Sequence, residues 1–295
     1  MTPYSSLPEP SRTVVRDRRT TARVGRQARL ELTFERRGGR TIIAHAYAEP
    51  PFRIGHSFTI GEAAYVIVVC AGPGVFAGDA LHQSVRVERG ACAVLTSQSA
   101  LQVHPAGAPP AVVRHQYDVA EDAELHCHWD PVIPFAGSAL AQELDIALHA
   151  GSRLYWSDAL MSGRASRGEA WRFRELAHTL RLRDIAAGGS LKYLERYRLS
   201  PADRGVTRPW IAGDANYMAT ALVHHPRVTA DEVDALHRRL AASGEVHLAL
   251  DLLEPRLMIA RAAACSGARF AAARAALRAA VLESVFQNPG LAGRK

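Results

Sequence analysis

The densest run of side chains able to hold a metal is His126-Cys127-His128-Trp129-Asp130. On a β-strand, residues i and i+2 share a face about 6.6 Å apart. If Leu125, Cys127 and Trp129 face a core, His126 and His128 stand together on the other face. Two imidazoles suit nickel, zinc or copper, and a carboxylate such as Asp130 could join them. Two ligands make a weak site, and a solvated histidine pair is the plain alternative. The richest glycine cluster is Gly72-Pro-Gly74-Val-Phe-Ala-Gly78-Asp79. It fails as a dinucleotide site, because its spacing is GxGxxxG and a strand, Ser84 to Glu88, follows where a helix N-terminus would receive phosphates. Its plain reading is a tight loop holding one aspartate. His224-His225-Pro226 reads as turn chemistry. No HExxH, GxSxG or GxxxxGKS/T spacing occurs, so an enzyme has no local motif to stand on.

The elements that position these residues are mainly strands. Leu30, Leu32 and Phe34 alternate with polar residues, and Thr41-Ile42-Ile43 follows a turn, Arg36-Arg37-Gly38-Gly39-Arg40, whose two glycines suit a hairpin tip. Tyr65 to Val69 is apolar on both faces and predicts a fully buried strand. Four segments then share one grammar: Val87 to Ala91 leading into Ala93 and Leu95, Val119 to Ala123 into Leu125 and Cys127, Leu148 to Ser152 into Leu154 and Trp156, and Ile185 to Gly189 into Leu191 and Tyr193. Each is a strand-turn-strand unit, and units that cannot bury their own face must stack. This repeat overrides the helical propensity of Ser138 to His149. Thr229-Ala-Asp-Glu232 is a capping box opening a helix over Ala230–Ala241, with Val233, Leu236 and Leu240 as its stripe. Gly267 to Phe286 predicts a second helix, stopped by Asn288-Pro289-Gly290. The expected fold is mainly β, with stacked strand-turn-strand repeats of β-helical, solenoid-like type and two α-helices toward the C-terminus. The β body is expected over about 26–210, an α-containing part over about 211–286 and a tail over 287–295.

Of 295 residues, 48% are hydrophobic and 22% charged, a composition that excludes wholesale disorder. The longest uncharged apolar stretch, Ala63 to Ala71, is far shorter than the ~20 residues of a membrane-spanning helix. Four cysteines without a CxxC pair write neither a disulfide framework nor a zinc ribbon, and Arg18-Arg19 lacks the apolar segment of an export signal. A reducing, cytoplasmic setting without membrane attachment is expected. The net charge of +7 is concentrated in a Pro/Ser/Arg-rich leader over 1–25 and just beyond, where seven arginines face only Glu9 and Asp17 in the first 29 residues. Such a leader is expected to be disordered and solvated. The rest is nearly neutral and lacks the interleaved aromatics that stack on bases, which argues against nucleic acid.

Several blocks, in order, resemble the UreD (UreH) family of urease accessory proteins: Leu30-Glu-Leu-Thr-Phe34 with Gly38-Gly39-Arg-Thr41, the loop Gly72 to Asp79, Gly90 to Gln98, Asp130-Pro-Val-Ile-Pro-Phe-Ala-Gly137, and Gly163-Arg-Ala-Ser-Arg-Gly-Glu169. The likeness covers about residues 25–285. It implies a non-catalytic β-helical scaffold that binds UreF, which recruits the GTPase UreG, and docks on apo-urease so that nickel reaches its active site through an internal water-filled route. Such a route needs acidic or imidazole groups that release the ion again. On the matching blocks the resemblance nominates Asp79, Asp130 and Glu169 for the route, with Gly72, Gly74, Gly78, Gly137, Arg164 and Gly168 shaping the loops. It implies transient nickel and no resident cofactor. Each acid has a plainer alternative, capping a turn or pairing with Arg164 or Arg167. The chain also departs from the family pattern: Leu101-Gln102-Val103-His104 stands where a Thr-Lys or Thr-Arg pair and an aromatic are usual. His126, His128 and Trp129 replace Glu and Leu-Pro, and the C-terminal end from Gln287 differs. His104, His126 and His128 are therefore candidate metal contacts of this chain's own. Two other functions stay open: a UreD-like chaperone for another metalloenzyme, and a metal-dependent hydrolase using His126 and His128, which would need a third ligand and a general base.

Overall fold

The computed structural model describes residues 25–292 except 106, 108, 204, 209, 210 and 242–245, so the basic leader, apart from Gly25, and residues 293–295 lie outside the described residues. The described residues open with two hairpins, β1 (Gln27–Arg37) with β2 (Arg40–Ala48) and β3 (Phe52–Ile60) with β4 (Ala63–Cys70). Three strand-turn-strand units follow: β5 (Ala80–Val87) with β6 (Cys92–Ser97), β8 (Ala111–Val119) with β9 (Glu124–His128), and β11 (Ala139–Leu148) with β12 (Arg153–Met161). The short strands β7 (Leu101–Val103) and β10 (Val132–Pro134) lie in the return crossovers and pair with each other. A third hairpin, β13 (Glu175–Asp184) with β14 (Ser190–Leu199), precedes β15 (Tyr217–His224), α1 (Ala230–Ala241), β16 (His247–Glu254), β17 (Leu257–Ala264) and α2 (Gly267–Ser284).

In each unit one strand belongs to each of two sheets. The first runs β14-β13-β11-β8-β5-β1-β2 and the second β16-β17-β15-β12-β9-β6-β4-β3. The middle of each sheet is parallel, as a solenoid requires, while antiparallel strands close both ends. The corners of the units stack by hydrogen bonds: Gly90 N–H donates to Glu121 O (3.1 Å) and Asp122 N–H to Ala150 O (3.0 Å). Gly90, Asp122 and Gly151 hold one turn position at φ 67°, 57° and 69°, where glycine is free and aspartate tolerated.

Between the sheets lies the main core, with Leu30, Leu32, Phe34 and Ile146 from one side and Leu95, Leu125, Leu154 and Trp156 from the other. The outer face of the second sheet is buried too: Tyr155, Val223 and Met258 pack against Val233 and Leu236 of α1, Leu277 and Val281 of α2, and Val285 just after it.

The β-helical expectation and both helices hold, and Ser138 to His149 is indeed strand. Three details differ. The Ile185 to Gly189 segment is no corner between sheets but the tip of the antiparallel β13–β14 hairpin within one sheet. Its paired glycines at φ 72° and 78° make a hairpin turn, whereas the other three units place a single residue at positive φ. β3 escapes a periodicity reading because its outer residues are mostly exposed or half-buried with no clean alternation. The C-terminal part carries three strands besides its helices, and β15 pairs directly with β12, so the second sheet passes without a break into it.

The glycine-rich loop shows how tightly the crossovers pack. Val75 N–H donates to Gln102 O (2.9 Å) and His104 N–H returns to Val75 O (2.8 Å), so a Cβ on Gly74 would lie 2.2 Å from Gln102 O, whereas one on Gly72 would meet nothing within 4 Å. Both glycines have positive φ. Gly72→Ala is expected to cost ~1–3 kcal/mol of backbone strain, and Gly74→Ala clearly more, because backbone must move as well. Urea midpoints of the two variants test the order; equal losses would contradict it.

Candidate functional site

Parallel stacking turns each inward strand position into a ladder across the units. In the first sheet one ladder runs Gln83, His115, Leu144, Leu180, Glu195, and the next includes Gln142, His178 and Tyr197. In the second sheet Asp158, Thr220 and Arg261 are register partners. These polar rungs interrupt the apolar interior and line two cavities. A cavity of about 90 Å³ lies between the sheets, with Gln83, Ser97, His115 and Asp130 in its wall. A larger one of about 540 Å³ lies toward the C-terminal strands, bordered by Glu195, Tyr197, His247 and Arg261. Val132, Gln142 and Asp158 belong to both walls. Even the smaller has room for a few waters.

Burial, followed by the nearby Glu195 charge, pushes the Asp158 carboxyl up to about 7, so it exchanges a proton near neutrality. Glu195 accepts from Tyr193 Oη–H (2.7 Å) and has Arg261 Nη2 at 3.4 Å. His115 shares a 2.9 Å hydrogen bond with Tyr117 Oη, and His178 stacks on Tyr197 at 4.8 Å and contacts Gln142 Oε1 at 3.4 Å. Burial lowers both imidazoles to about 4. They are neutral at pH 7, the form that can ligate a metal.

Of the residues expected from sequence, Asp130 lines the smaller cavity, where Ser97 Oγ–H donates to its Oδ2 (3.0 Å). Asp79 and Glu169 lie elsewhere, each tied to an arginine. Asp79 is buried and accepts from Arg26 N–H (2.7 Å), Arg26 Nη2 (2.7 Å) and Phe76 N–H (3.0 Å). Burial would raise its carboxyl, but these donors outweigh burial and hold it below its ordinary value. Glu169 accepts a fork from Arg164 (2.8 and 2.5 Å), which lowers its carboxyl. His104 joins the two loops: it stacks on Phe76 (4.4 Å) and meets the edge of Phe135 (4.9 Å), over which Arg164 sits at 4.0 Å. The glycine loop, the 130–137 block and the 163–169 block thus form one layer of crossovers. Gly78 and Gly168 take left-handed turns there, and Gly137 N–H donates to Arg172 O (2.9 Å).

Leu125, Cys127 and Trp129 face the core as expected. The opposite face is not solvated, however, because α2 and the segment after it cover it. His126 is fully buried against Phe286 and bonds Glu124 Oε1 at 2.7 Å. Among the described residues, the only convergent set of three metal-competent groups is Cys92, Glu124 and His126; His128 and Asp130 are outside it. The interior residues Asp158, Glu195, His115 and His178 escaped the sequence reading. Their signal was a polar residue on the apolar beat of a strand, as in Leu154, Trp156, Asp158, Leu160.

The depressed histidines set a pH response. His115, His178 and His225 are each lowered to about 4 by burial, so between pH 6.5 and 4 the unfolded chain takes up three protons that the folded chain refuses. Asp158, raised to about 7, opposes this with one proton. Stability should therefore fall on acidification, by about 1 kcal/mol per pH unit for each histidine with one of the three offset. Urea unfolding at pH 7 and 5 measures it, and His178→Gln should flatten the slope. A flat profile in the parent chain would refute the assignment.

The model of the UreD urease accessory protein family matches residues 26–294. The urease accessory protein UreD of Sorangium cellulosum is 35% identical over 210 residues, covering 70% of this chain and 65% of that protein. The UreD of Trichodesmium erythraeum is 35% identical over 142 residues, 46% of this chain and 51% of its own length. The UreD of Haloarcula marismortui is 32% identical over 219 residues, 72% of each chain. The matches thus span about half to two thirds of the first two relatives' length. The chain belongs to the UreD urease accessory protein family.

Proposed function

We propose that this chain is a non-catalytic maturation scaffold of the cytoplasm that binds UreF and UreG, docks on apo-urease and lets nickel pass through its interior. The observation that carries the reading is Asp158, a carboxylate poised near neutral pH in the wall common to both interior cavities. An ion in transit needs ligands that bind without trapping it. A carboxylate that trades its metal for a proton meets that need, and Asp130, His115 and Glu195 extend the same lining on either side. Nickel is cargo here, not a resident cofactor. In this reading Asp79 and Glu169 act as ties of the crossover layer, since their oxygens are already engaged by Arg26 and Arg164. The hydrolase alternative lacks support from the described residues, where His126, His128 and Asp130 form no common cluster.

Co-expression with UreF, UreG and urease tests the reading. The parent chain should co-elute with UreF and UreG. Asp158→Asn should co-elute equally well yet leave urease with several-fold less nickel and activity, while Asp79→Asn should lower the chain's own stability and complex yield. A chain that is folded but ignores UreF would point to another client. Normal nickel loading by both Asp158→Asn and Asp130→Asn would overturn the route.

A further inference from the structure

The convergent metal-competent cluster lies outside the interior, on the covered outer face of the second sheet. Cys92 and Glu124 are register partners on β6 and β9, and His126, two residues on, shares their face. Cys92 Sγ stands 3.6 Å from Glu124 Oε1, His126 Nε2 stands 2.7 Å from the same oxygen, and donor atoms of all three lie within 4.8 Å of one another. The Nδ1 of His126 is buried without a hydrogen-bond partner. Tetrahedral bonds of about 2.0–2.3 Å put ligand atoms roughly 3.3–3.7 Å apart, so the 2.7 Å pair must open, and any pair near the 4.8 Å limit close, by about 1 Å or less to enclose an ion.

We propose that Cys92, Glu124 and His126 bind one borderline divalent cation, of the nickel or zinc class, through a thiolate, a carboxylate oxygen and an imidazole nitrogen. Sulfur and nitrogen donors disfavour calcium and magnesium, which take oxygen shells. Three protein ligands leave a fourth position for water, an open site and not a closed structural one. The ion takes the place of the Cys92 thiol proton, which leaves to solvent, and no electrons are transferred. Arg153 is the competing cation: its Nε lies 2.7 Å from Glu124 Oε2, and its side chain is 39% exposed at the coil corner. The site does not depend on the interior route, because these side chains point away from the cavities, toward Phe286 and Leu291 at the C-terminal end.

Cobalt(II) titration of the purified full chain, read by its thiolate-to-cobalt charge-transfer band, tests the site. The parent chain should show the band at one equivalent, and nickel or zinc should bleach it, with the more effective competitor identifying the preferred ion. Cys92→Ser, near-isosteric and checked for folding by thermal melting, should abolish the band. Glu124→Gln should weaken binding by at least about tenfold. Arg153→Gln should tighten it, because a competing charge is gone, and Asp158→Asn should leave it unchanged. Absence of the band in the folded parent, its survival in Cys92→Ser, or weaker binding by Arg153→Gln would overturn the proposal.

Discussion

In-register parallel stacking is the constraint on which the rest of this molecule depends. Once β5, β8 and β11 lie side by side, and β6, β9 and β12 opposite them, residues at equal strand positions become neighbours for the length of the solenoid. Apolar rungs then fuse into one core and polar rungs into one lining. The corners hold the register through a single left-handed position in each unit, and antiparallel strands end the parallel stack on both sides.

Polar rungs inside a sandwich are costly. The shift of Asp158 from its ordinary value to about 7 represents a few kcal/mol of lost solvation for the carboxylate. Neutral His115 and His178 carry a related cost when the medium turns acidic. A fold that needed only stability would place leucine at these positions, as it does at Leu144 and Leu180 on neighbouring rungs. The retained polar groups border cavities instead of packing shut, and the crossover layer bolted by Asp79–Arg26 and Glu169–Arg164 keeps the strand ends fixed around them. The outer face of the second sheet follows a different logic: α2 and the segment after it cover it, and beneath them Glu124 touches Cys92 on the adjacent strand and His126 on its own.

The repeat grammar was legible because turn residues recur at a fixed offset from apolar pairs: Gly90, Asp122 and Gly151 sit at equivalent corners. The same grammar misled at Gly188-Gly189, since a hairpin and a corner use similar residues and only the partner strand distinguishes them. The histidine pair at 126 and 128 was visible, but its cover was not, because that comes from α2 and Phe286, well over 100 positions later. Asp79 and Glu169 drew notice as acids in recognisable blocks, yet which arginine would claim them is a tertiary fact. Asp158 and Glu195 were the hardest to read. Each is an ordinary charged residue in a strand until register places it inward across from other polar rungs.

The central claim, that nickel occupies the interior of the sandwich, is tested most directly by anomalous diffraction at the nickel edge from crystals of the chain equilibrated with nickel. The account predicts a peak between the two sheets within bonding distance of the Asp158 carboxylate. Peaks confined to the outside of the molecule, with none in either cavity at saturating nickel, would contradict it.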